Sequence, residues 1–453
     1  MILLFLLTSA YRFLCEDSCS PIPNAMKRPN TRRQFIKASV AATAGLTILR
    51  SGSARTYAAN EKLNVAVIGV ANQGAYNLGN VSSQNVVALC DINEGLLAGA
   101  AQKHPSARTY TDFRHLLDQK DVEAVVVATP DHTHAVATAA AIRSGRHVYC
   151  EKPLTRTVAE CRRIQELARE HRCVTQMGTQ IHAGSNYRRA VELVQSGAIG
   201  NVSEVHVWVG GGFGNKERPK DTPAIPKGLH YDLWLGPAEE RPYHPDYLPF
   251  SWRHWWAFGG GTLADIGCHY MDLPHWALEL RHPLTVEAEG PPVHAESAAN
   301  WLIARYLYPA RGEKPPVNLT WYHGNRRPPQ FAEKKLPKWG NGVLFVGSKG
   351  MLICDYGKHV LLPEKDFTEF TTPEPVIKDS IGHHLEWIEA CKHGGPTTCD
   401  FDYSGPLTEA VLLGNVAFRS GKKLEWDPKK LRATGAPEAD QFIDYRYRKG
   451  WAL

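Results

Sequence analysis

The chain has 453 residues, the composition of an ordinary globular protein and a formal net charge of +6 at pH 7. Eight lysines and arginines and two acidic residues in positions 1–60 account for this whole excess, so residues 61–453 are neutral overall. This balance argues against an electrostatic footprint for nucleic acid or lipid in the body of the chain, and the length suits two domains with separate cores.

Residues 1–60 are typical of a leader with an export signal. The stretch TRRQFIK at 31–37 has the paired arginines, the aromatic residue and the lysine of a twin-arginine signal, and Met26 is the expected initiator. The apolar run ASVAATAGLTIL is shorter than the roughly 20 residues that span a bilayer, and small residues around Ala58 suit cleavage. We expect a periplasmic or otherwise exported protein without stable membrane insertion after processing. A disordered basic tail and an uncleaved anchor are the alternatives.

Residues 61–178 alternate between short apolar runs and helical patterns. The apolar runs are LNVAVIG, NVVALCD, AVVVATP, HVYCEKP and VTQMG. This alternation predicts an α/β domain with a doubly wound parallel sheet, because each buried strand is followed by a helix that returns the chain across the sheet.

The turn after the first run predicts a dinucleotide site. Gly69, Ala71 and Gly74 occupy the three positions of G-x-G-x-x-G, where small residues let backbone amides approach a pyrophosphate. About 20 residues later, Asp91 ends the second run, where an acid accepts hydrogen bonds from a ribose and repels a 2′-phosphate. NAD is therefore favoured over NADP, with a cap of the turn DINE as the alternative role of Asp91. The cofactor-binding candidates of the turn are Gly69, Ala71, Asn72, Gln73 and Gly74.

The segment ATPDHTH, residues 128–134, is expected to form the loop after the fourth strand. Thr129 and Pro130 should line the nicotinamide side of the crevice, because ligands of open α/β sheets bind outside the carboxyl ends of the strands. His132 and His134 invite a metal site, but no set of ligands is completed nearby in the sequence. Hydrogen bonding within the loop is the expected role, no metal is predicted, and His134 is included among the cofactor-binding candidates.

Glu151-Lys152-Pro153 follows the apolar run HVYC. A charged pair at the carboxyl end of a buried strand contributes little to stability, but it lies where a cofactor and a substrate meet. Glu151 and Lys152 are therefore cofactor-binding candidates, and Lys152 is also a catalytic candidate.

Residues 179–430 have a different pattern. Alternating runs include EVHVWVG, TVEAEG, VNLTWYHG, VLFVGSKGMLICDYG and HVLLP, with helical stretches between them. They predict a second α/β domain with a large, mostly antiparallel sheet that has one open face. The polar and aromatic tail, residues 431–453, is expected to pack back onto the domain or onto a partner.

The stretch GGGTLADIGCHYMDLPHW at 259–276 predicts an acid–base pair. Asp265 and His269 are four residues apart and share one helix face. A carboxylate beside an imidazole fixes its tautomer and holds it ready as a base. Two alternatives stay open: Thr262 to Asp265 also fits a capping box, and His269 also fits a hydrogen-bonded core histidine.

The order of the nucleotide turn, ATPDHTH, EKP, YRRAVELVQSGAIG and GGGTLADIGCHYMD resembles the glucose–fructose oxidoreductase / inositol dehydrogenase (Gfo/Idh/MocA) family over residues 61–430. YDLWLGPAEERPYHPDY and LLGNVAFRSGKKLEWDP resemble its bacterial branch with twin-arginine signals. The resemblance implies a Rossmann domain, an α/β domain whose open sheet mediates homodimers or homotetramers, and Lys152, Asp265 and His269 as the catalytic residues. Ala71 departs from the glycine of the motif.

The expected reaction is a reversible hydride transfer between a hydroxyl-bearing carbon of a sugar, sugar derivative or polyol and NAD. His269 would take the hydroxyl proton, Asp265 would orient His269, and Lys152 would stabilise the developing alkoxide. Export implies a tightly held cofactor. The alternatives are a glycosidase or lyase that acts through a transient keto-sugar and a non-catalytic NAD-bound sensor. The substrate-contact candidates are Tyr187, Arg188, Trp252, Arg253 and His254.

Overall fold

The computed structural model describes residues 62–453, which belong to one compact unit. The predicted twin-arginine signal and the expected initiator Met26 lie outside the described residues. Between residues 62 and 453, none of the helices combines the length and the apolar character that a membrane crossing requires.

The first half of the described chain forms a six-stranded sheet. Its strands are β1 (Asn64–Ile68), β2 (Asn85–Cys90), β3 (Arg108–Tyr110), β4 (Ala124–Val127), β5 (His147–Glu151) and β6 (Thr175–Gly178). They pair in parallel in the order β3-β2-β1-β4-β5-β6. This doubly wound sheet confirms the predicted fold class. The sequence patterns missed β3 because it has only three residues and none of them is buried.

The helices of the first half follow their strands. They are α1 (Gln73–Val81), α2 (Glu94–Lys103), α3 (Phe113–Leu116), α4 (Asp131–Arg143) and α5 (Val158–His171). The expectation that residues 128–134 form a loop was wrong in its second part, because α4 already begins at Asp131. Pro130 stands at its N-cap in an extended conformation, and an acid in the first turn complements the helix dipole.

A nine-stranded sheet forms the second half. Its strands are β7 (Val202–Trp208), β8 (Thr285–Glu289), β9 (Leu302–Tyr308), β10 (Val317–His323), β11 (Gly342–Gly347), β12 (Met351–Cys354), β13 (His359–Leu362), β14 (Leu424–Asp427) and β15 (Arg432–Thr434). The order is β13-β12-β11-β7-β10-β9-β8-β14-β15, and the neighbours are antiparallel except for β7 and β10. The mostly antiparallel second sheet is thus confirmed.

The remaining helices connect or cover the two sheets. They are α6 (Ser185–Gln195), α7 (Tyr231–Leu235), α8 (Gly261–Tyr270), α9 (Asp272–Ala277), α10 (Pro329–Ala332), α11 (His383–His393), α12 (Phe401–Ser420) and α13 (Asp440–Ile443). The long helix α12 contacts α5 of the first half and α8 and β8 of the second, so it joins the two halves of the protein.

One face of the second sheet is only partly open. Over β7 and β11–β13, apolar side chains of this face pack against Phe331, Leu336 and Trp339 from the segment that follows β10. Arg305 on β9 and Asn318 on β10 remain exposed. The alternating pattern of the strands predicted the face, but it does not reveal which segment covers it.

Helix α11 comes from the second half of the sequence but completes the core of the first. Its Trp387 and Ile388 belong to the same buried cluster as Val65 and Val67 of β1 and Leu78 of α1. The first sheet is therefore covered in part by a helix about 300 residues further along the chain.

Candidate active site

A cavity of about 1030 Å³ lies at the carboxyl ends of the parallel strands and extends from the glycine turn to α8. Its size is at the upper end of the range for small-molecule sites. The residues that were predicted from the sequence and that line this cavity are Gly69, Ala71, Asn72, Gln73, Asp91, Thr129, Pro130, His134, Glu151, Lys152, Trp252, Arg253 and His269.

The glycine turn at the start of α1 has the geometry of an anion-binding loop. A Cβ on Gly69, whose φ is +85°, would lie 2.5 Å from the carbonyl oxygen of Ala128, and one on Gly74 would lie 2.0 Å from that of Gly69. Both positions therefore require glycine. No side chain caps α1 at Asn72. The amides of Gly74 and Tyr76 donate to the main-chain oxygens of Ala71 and Asn72, so in the first turn the amides of Gln73 and Ala75 remain for a phosphate. Gly74 supports this turn and is not among the residues that line the cavity.

Asp91 serves its own turn and also lines the cavity. Its Oδ2 accepts a hydrogen bond of 3.0 Å from the Val70 amide, and its Oδ1 accepts one of 2.9 Å from the Asn93 amide. Burial raises the pKa of the Asp91 carboxyl, and the two amide hydrogen bonds oppose this rise. Asp91 can therefore cap the turn DINE and still face the cofactor crevice.

Lys152, Asp265 and Arg253 form an ionic cluster where the two halves meet. The Lys152 Nζ donates hydrogen bonds of 2.8 Å to the Asp265 Oδ1 and 2.8 Å to its main-chain oxygen, and the Arg253 Nε donates one of 2.8 Å to the same Oδ1. Burial alone would raise the pKa of Asp265, but the charges and hydrogen bonds of Lys152 and Arg253 outweigh it and lower the pKa to about 2. The peptide bond between Lys152 and Pro153 is cis.

His269 lines the cavity as a neutral imidazole. Burial, with a smaller contribution from the charge of Lys152, lowers its pKa to about 3. Its buried Nδ1 has no hydrogen-bond partner within residues 62–453. The expectation that Asp265 orients His269 was therefore wrong, because Lys152 and Arg253 take the carboxylate instead.

The capping-box alternative for Asp265 is also absent from the geometry. Helix α8 begins at Gly261, and no side chain hydrogen-bonds at its N-cap, Gly260. The Thr262 hydroxyl instead accepts a hydrogen bond of 2.7 Å from the amide of Phe213. Asp265 therefore belongs to the ionic cluster rather than to the helix cap.

Three of the five substrate-contact candidates do not line the cavity. Tyr187 is fully buried and donates a 3.3 Å hydrogen bond to the carbonyl of His269, while Arg188 is buried against Glu386 at 3.0 Å. The Nδ1 of His254 accepts a 2.7 Å hydrogen bond from the Gly214 amide. These three side chains are of types that often bind sugars, but here they make contacts within the protein. Trp252 and Arg253 do line the cavity.

Asp131 is a cavity residue that the sequence patterns did not single out. It is 3% exposed and lines the cavity at the start of α4. Burial raises its pKa to about 8, although the charges of Arg253 and Lys152 oppose the rise. The sequence signal for Asp131 was an acidic residue directly after Pro130, which is typical of a helix start. It was not recognised because residues 128–134 were expected to form a loop.

Glu151 presents an incompletely satisfied carboxylate. Its Oε1 accepts hydrogen bonds of 3.1 Å from Gln73, 2.9 Å from Asn77 and 2.8 Å from Gln180. Its buried Oε2 has no partner in the described part of the chain. A buried acceptor without a donor is costly, and a polar group of a bound ligand would remove that cost. With the open glycine turn and Asp91, this orphaned acceptor fits a bound dinucleotide.

The two histidines of ATPDHTH are used in hydrogen bonds. The Nε2 of His132 lies 2.8 Å from the Trp234 oxygen, and the ring nitrogens of His134 each lie 2.7 Å from a carbonyl oxygen, those of Pro153 and Thr129. This is the predicted role, although within helix α4. Among residues 62–453, no group of three or more potential ligands is arranged to hold a metal ion.

Fold and cavity together define a nucleotide-binding α/β oxidoreductase, and comparison with known proteins agrees. Residues 63–179 match the family described as "Oxidoreductase family, NAD-binding Rossmann fold", and residues 184–313 match its C-terminal alpha/beta domain. The chain belongs to the Gfo/Idh/MocA oxidoreductase family, which confirms the predicted NAD-binding Rossmann fold.

Similar proteins include dehydrogenases of sugars and polyols. An inositol 2-dehydrogenase of Salmonella typhimurium is 32% identical over 150 residues, which are 32% of this chain and 45% of that protein. A levoglucosan dehydrogenase of Pseudarthrobacter phenanthrenivorans is 26% identical over 195 residues, 42% of this chain and 41% of that protein. The chain thus aligns with less than half the length of these relatives.

Solved structures share the fold along most of their length. The WlbA dehydrogenase of Bordetella pertussis, in complex with NADH and UDP-GlcNAcA, superposes with a TM-score of 0.58 at 18% identity, covering 81% of this chain and 99% of that one. The aldose–aldose oxidoreductase of Caulobacter crescentus superposes with a TM-score of 0.53 at 17% identity, covering 81% and 100%. At this identity, the likeness establishes the fold alone.

Proposed function

We propose that this protein is an NAD-dependent oxidoreductase that transfers a hydride reversibly between a hydroxyl-bearing carbon of a sugar, sugar derivative or polyol and NAD. The observation that carries the proposal is the continuous cavity that contains both the glycine turn of α1 and Lys152, Arg253 and His269. The inositol and levoglucosan dehydrogenases among the relatives support the substrate class.

The cofactor would lie along the carboxyl ends of the strands. The open amides of α1 would hold its pyrophosphate, Asp91 its adenosine ribose, and Thr129, Pro130 and Glu151 its nicotinamide side. The carboxylate of Asp91 favours NAD, since a 2′-phosphate would meet a negative charge. When bound, NAD supplies the hydride acceptor at this end of the cavity.

Proton transfer would be carried out by residues of both halves. His269 lines the cavity, burial lowers its pKa to about 3, and its neutral imidazole would accept the proton of the substrate hydroxyl. The ammonium of Lys152 would donate to the oxygen as negative charge develops on it. Asp265 accepts hydrogen bonds from both Lys152 and Arg253, so Asp265 would position the lysine and Arg253 would hold the Asp265 carboxylate.

A keto-sugar lyase or glycosidase would begin with the same oxidation, but the dehydrogenases among the relatives do not favour it. Incubation of the protein with a panel of sugars, polyols and glycosides distinguishes the reactions. We expect a keto-sugar product and reduced cofactor. Release of free sugar from glycosides without net NADH would instead indicate the lyase, and full function of a His269→Ala variant would indicate the NAD-bound sensor.

We also propose that the protein is exported by the twin-arginine route with its cofactor already bound. The signal-like residues 31–37 support the route, and an exported dehydrogenase would need to keep its cofactor because free NAD is scarce outside the cytoplasm. Mass spectrometry of the denatured periplasmic protein should detect one released NAD per chain. Periplasmic protein free of nucleotide would contradict the proposal.

Assembly into a homodimer or homotetramer through the exposed part of the second sheet, around β8 and β9, remains our proposal for its oligomeric state. Light scattering during gel filtration measures it directly. A monomer at all concentrations would contradict it.

A further inference from the structure

The C-terminal segment beyond α13 returns to the first half of the protein. The ring of Tyr445 lies under the guanidinium of Arg156 at 3.5 Å, and the hydroxyl of Tyr447 donates a 2.7 Å hydrogen bond to Glu160 of α5. The predicted packing of the tail onto its own chain is thus observed. Both partners belong to the region around the start of α5, so the tail is anchored beside the first sheet.

A second anchor directs the last residues toward the cavity. The Arg448 guanidinium pairs with the Asp232 carboxylate and donates hydrogen bonds to the main-chain oxygens of Asp232, at 2.9 Å, and Gly236, at 3.1 Å. The amide of Trp451 then donates a 3.1 Å hydrogen bond to the Arg448 carbonyl. These contacts hold Trp451 at a defined place.

Trp451 lines the same cavity as the glycine turn. Its ring centroid lies 6.0 Å from that of Phe113 with an interplanar angle of 45°, and the Arg114 guanidinium lies 4.8 Å from it. Arg114 is itself held by the carboxylate of Asp112, the N-cap of α3. The tail therefore places an aromatic side chain beside the end of β3.

This end of the cavity is where the base of a dinucleotide belongs. In a doubly wound sheet, the acid at the end of the second strand marks the adenosine ribose, and the base lies beyond it toward the third strand. Asp91 directly follows β2, and Phe113 and Trp451 lie beyond it, next to the end of β3. Leu96 lines the same end and is 45% exposed, which is the kind of apolar surface that a bound base would cover.

We propose that Trp451 forms the wall of the adenine subsite and that the tail, residues 444–453, retains the bound nucleotide. The indole ring packs on the face of the adenine, and the anchors at Glu160, Asp232 and Gly236 keep it there. This proposal rests on the binding of NAD in the cavity. It assigns the proposed tight retention of the cofactor to a segment at the far end of the chain.

The first test compares Trp451→Ala with wild type. A ring–base contact contributes about tenfold or more to binding, so NAD should dissociate at least tenfold faster from the variant, and its affinity for ADP-ribose should fall by a similar factor. Affinity for nicotinamide mononucleotide should not change, and Trp451→Phe should retain most of the wild-type affinity. Trp301→Ala is the matched control. The Arg326 guanidinium lies 4.2 Å from the centre of the Trp301 ring, and Trp301 is not among the residues that line the cavity.

The outcomes separate this inference from the proposed function. Wild-type protein that binds neither NAD nor ADP-ribose would overturn the function itself. Wild-type protein that binds both, together with a Trp451→Ala variant that releases NAD at the wild-type rate, would overturn only the role of the tail.

A second test does not depend on a variant. Wild-type protein loaded with 2-azido-adenine NAD and irradiated is digested, and the labelled peptides are sequenced by mass spectrometry. Label in the C-terminal peptide that contains Trp451 supports the proposal. Label confined to other peptides contradicts it, and excess NAD should abolish specific labelling in either case.

Discussion

The ammonium group of Lys152 lies 2.8 Å from the carboxylate of Asp265 and 2.8 Å from the main-chain oxygen of the same residue. This contact joins the end of β5 to helix α8 across the boundary between the two halves. It means that Asp265 acts on Lys152 and not on His269, so the proposed proton acceptor and the proposed stabiliser of the alkoxide are held independently.

Replacement of Lys152 should therefore impair turnover more than folding. We expect Lys152→Met to lower kcat by about 10²–10³-fold, because the donor to the developing alkoxide is lost. Asp265→Asn should lower kcat less, since the main-chain oxygen and the amide oxygen of the new side chain can still accept hydrogen bonds from the lysine. Steady-state kinetics measures both effects. Lys358→Met, at a lysine that stacks on Trp339, is the control, and wild-type kcat in Lys152→Met would contradict the assignment.

Asp131→Asn should stabilise the protein at alkaline pH relative to wild type. Burial raises the pKa of Asp131 to about 8, whereas an aspartate in an unfolded chain has a pKa near 3.9. The folded state therefore binds the extra proton between these values, and the contribution of Asp131 to wild-type stability falls as the pH rises from about 4 to about 8. In Asp131→Asn, the amide side chain does not titrate, so this loss of stability does not occur. Melting temperatures of both proteins at pH 5 and pH 8 test it, with the exposed Asp118→Asn as the matched substitution.

If the advantage of Asp131→Asn is the same at the two pH values, Asp131 does not change its charge on folding. The kinetic counterpart is a change in kcat/KM with an apparent pKa near 8 in the wild type, which the variant should lack.

Acidification should begin to destabilise the protein at a pH well above the ordinary pKa of a carboxyl group, which is about 4. Burial lowers the pKa of His132 to about 3 and those of His275 and His323 to about 4, against about 6.5 in an unfolded chain. The unfolded state binds more protons between these values, so this stability is fully present above pH 6.5 and is lost as the pH falls toward 4. In the Asp131→Asn variant, which lacks the opposing titration of Asp131, the melting temperature should be constant from pH 8 to 7 and then decline. A flat profile down to pH 5 would contradict the neutral state of these histidines.

Two glycines of helix α1 should respond in opposite ways to alanine. A Cβ on Gly74 would lie 2.0 Å from the Gly69 carbonyl oxygen, so Gly74→Ala must displace the turn, and we expect at least about tenfold weaker NAD binding. A Cβ on Gly79 meets nothing within 4 Å. Gly79→Ala should raise the free energy of unfolding by about 0.5–1 kcal/mol and leave binding unchanged. Calorimetric titration with NAD and thermal unfolding measure the pair.

Much of the fold and part of the site could be predicted because their signals are local. Apolar runs that end at Gly69, Asp91 and Glu151 report buried parallel strands, and the carboxyl ends of such strands meet at one edge of the sheet. The predicted cofactor residues therefore gather in one cavity. Arg188 and Tyr187 were misassigned because a polar side chain on an amphipathic helix has the same sequence pattern whether it contacts a ligand or a buried partner.

The class of fold, the glycine turn and the residue types proposed for hydride and proton transfer follow from the sequence alone, since spacing and composition report these over short stretches. The packed structure was needed to show that Asp265 binds Lys152 from 113 positions away, that α11 covers β1, and that Trp451 reaches the end of β3. Periodicity shows that a face is buried, but it contains no information about which distant segment covers it. Hydrogen-bond partners are chosen by distances that exist only once the elements have packed.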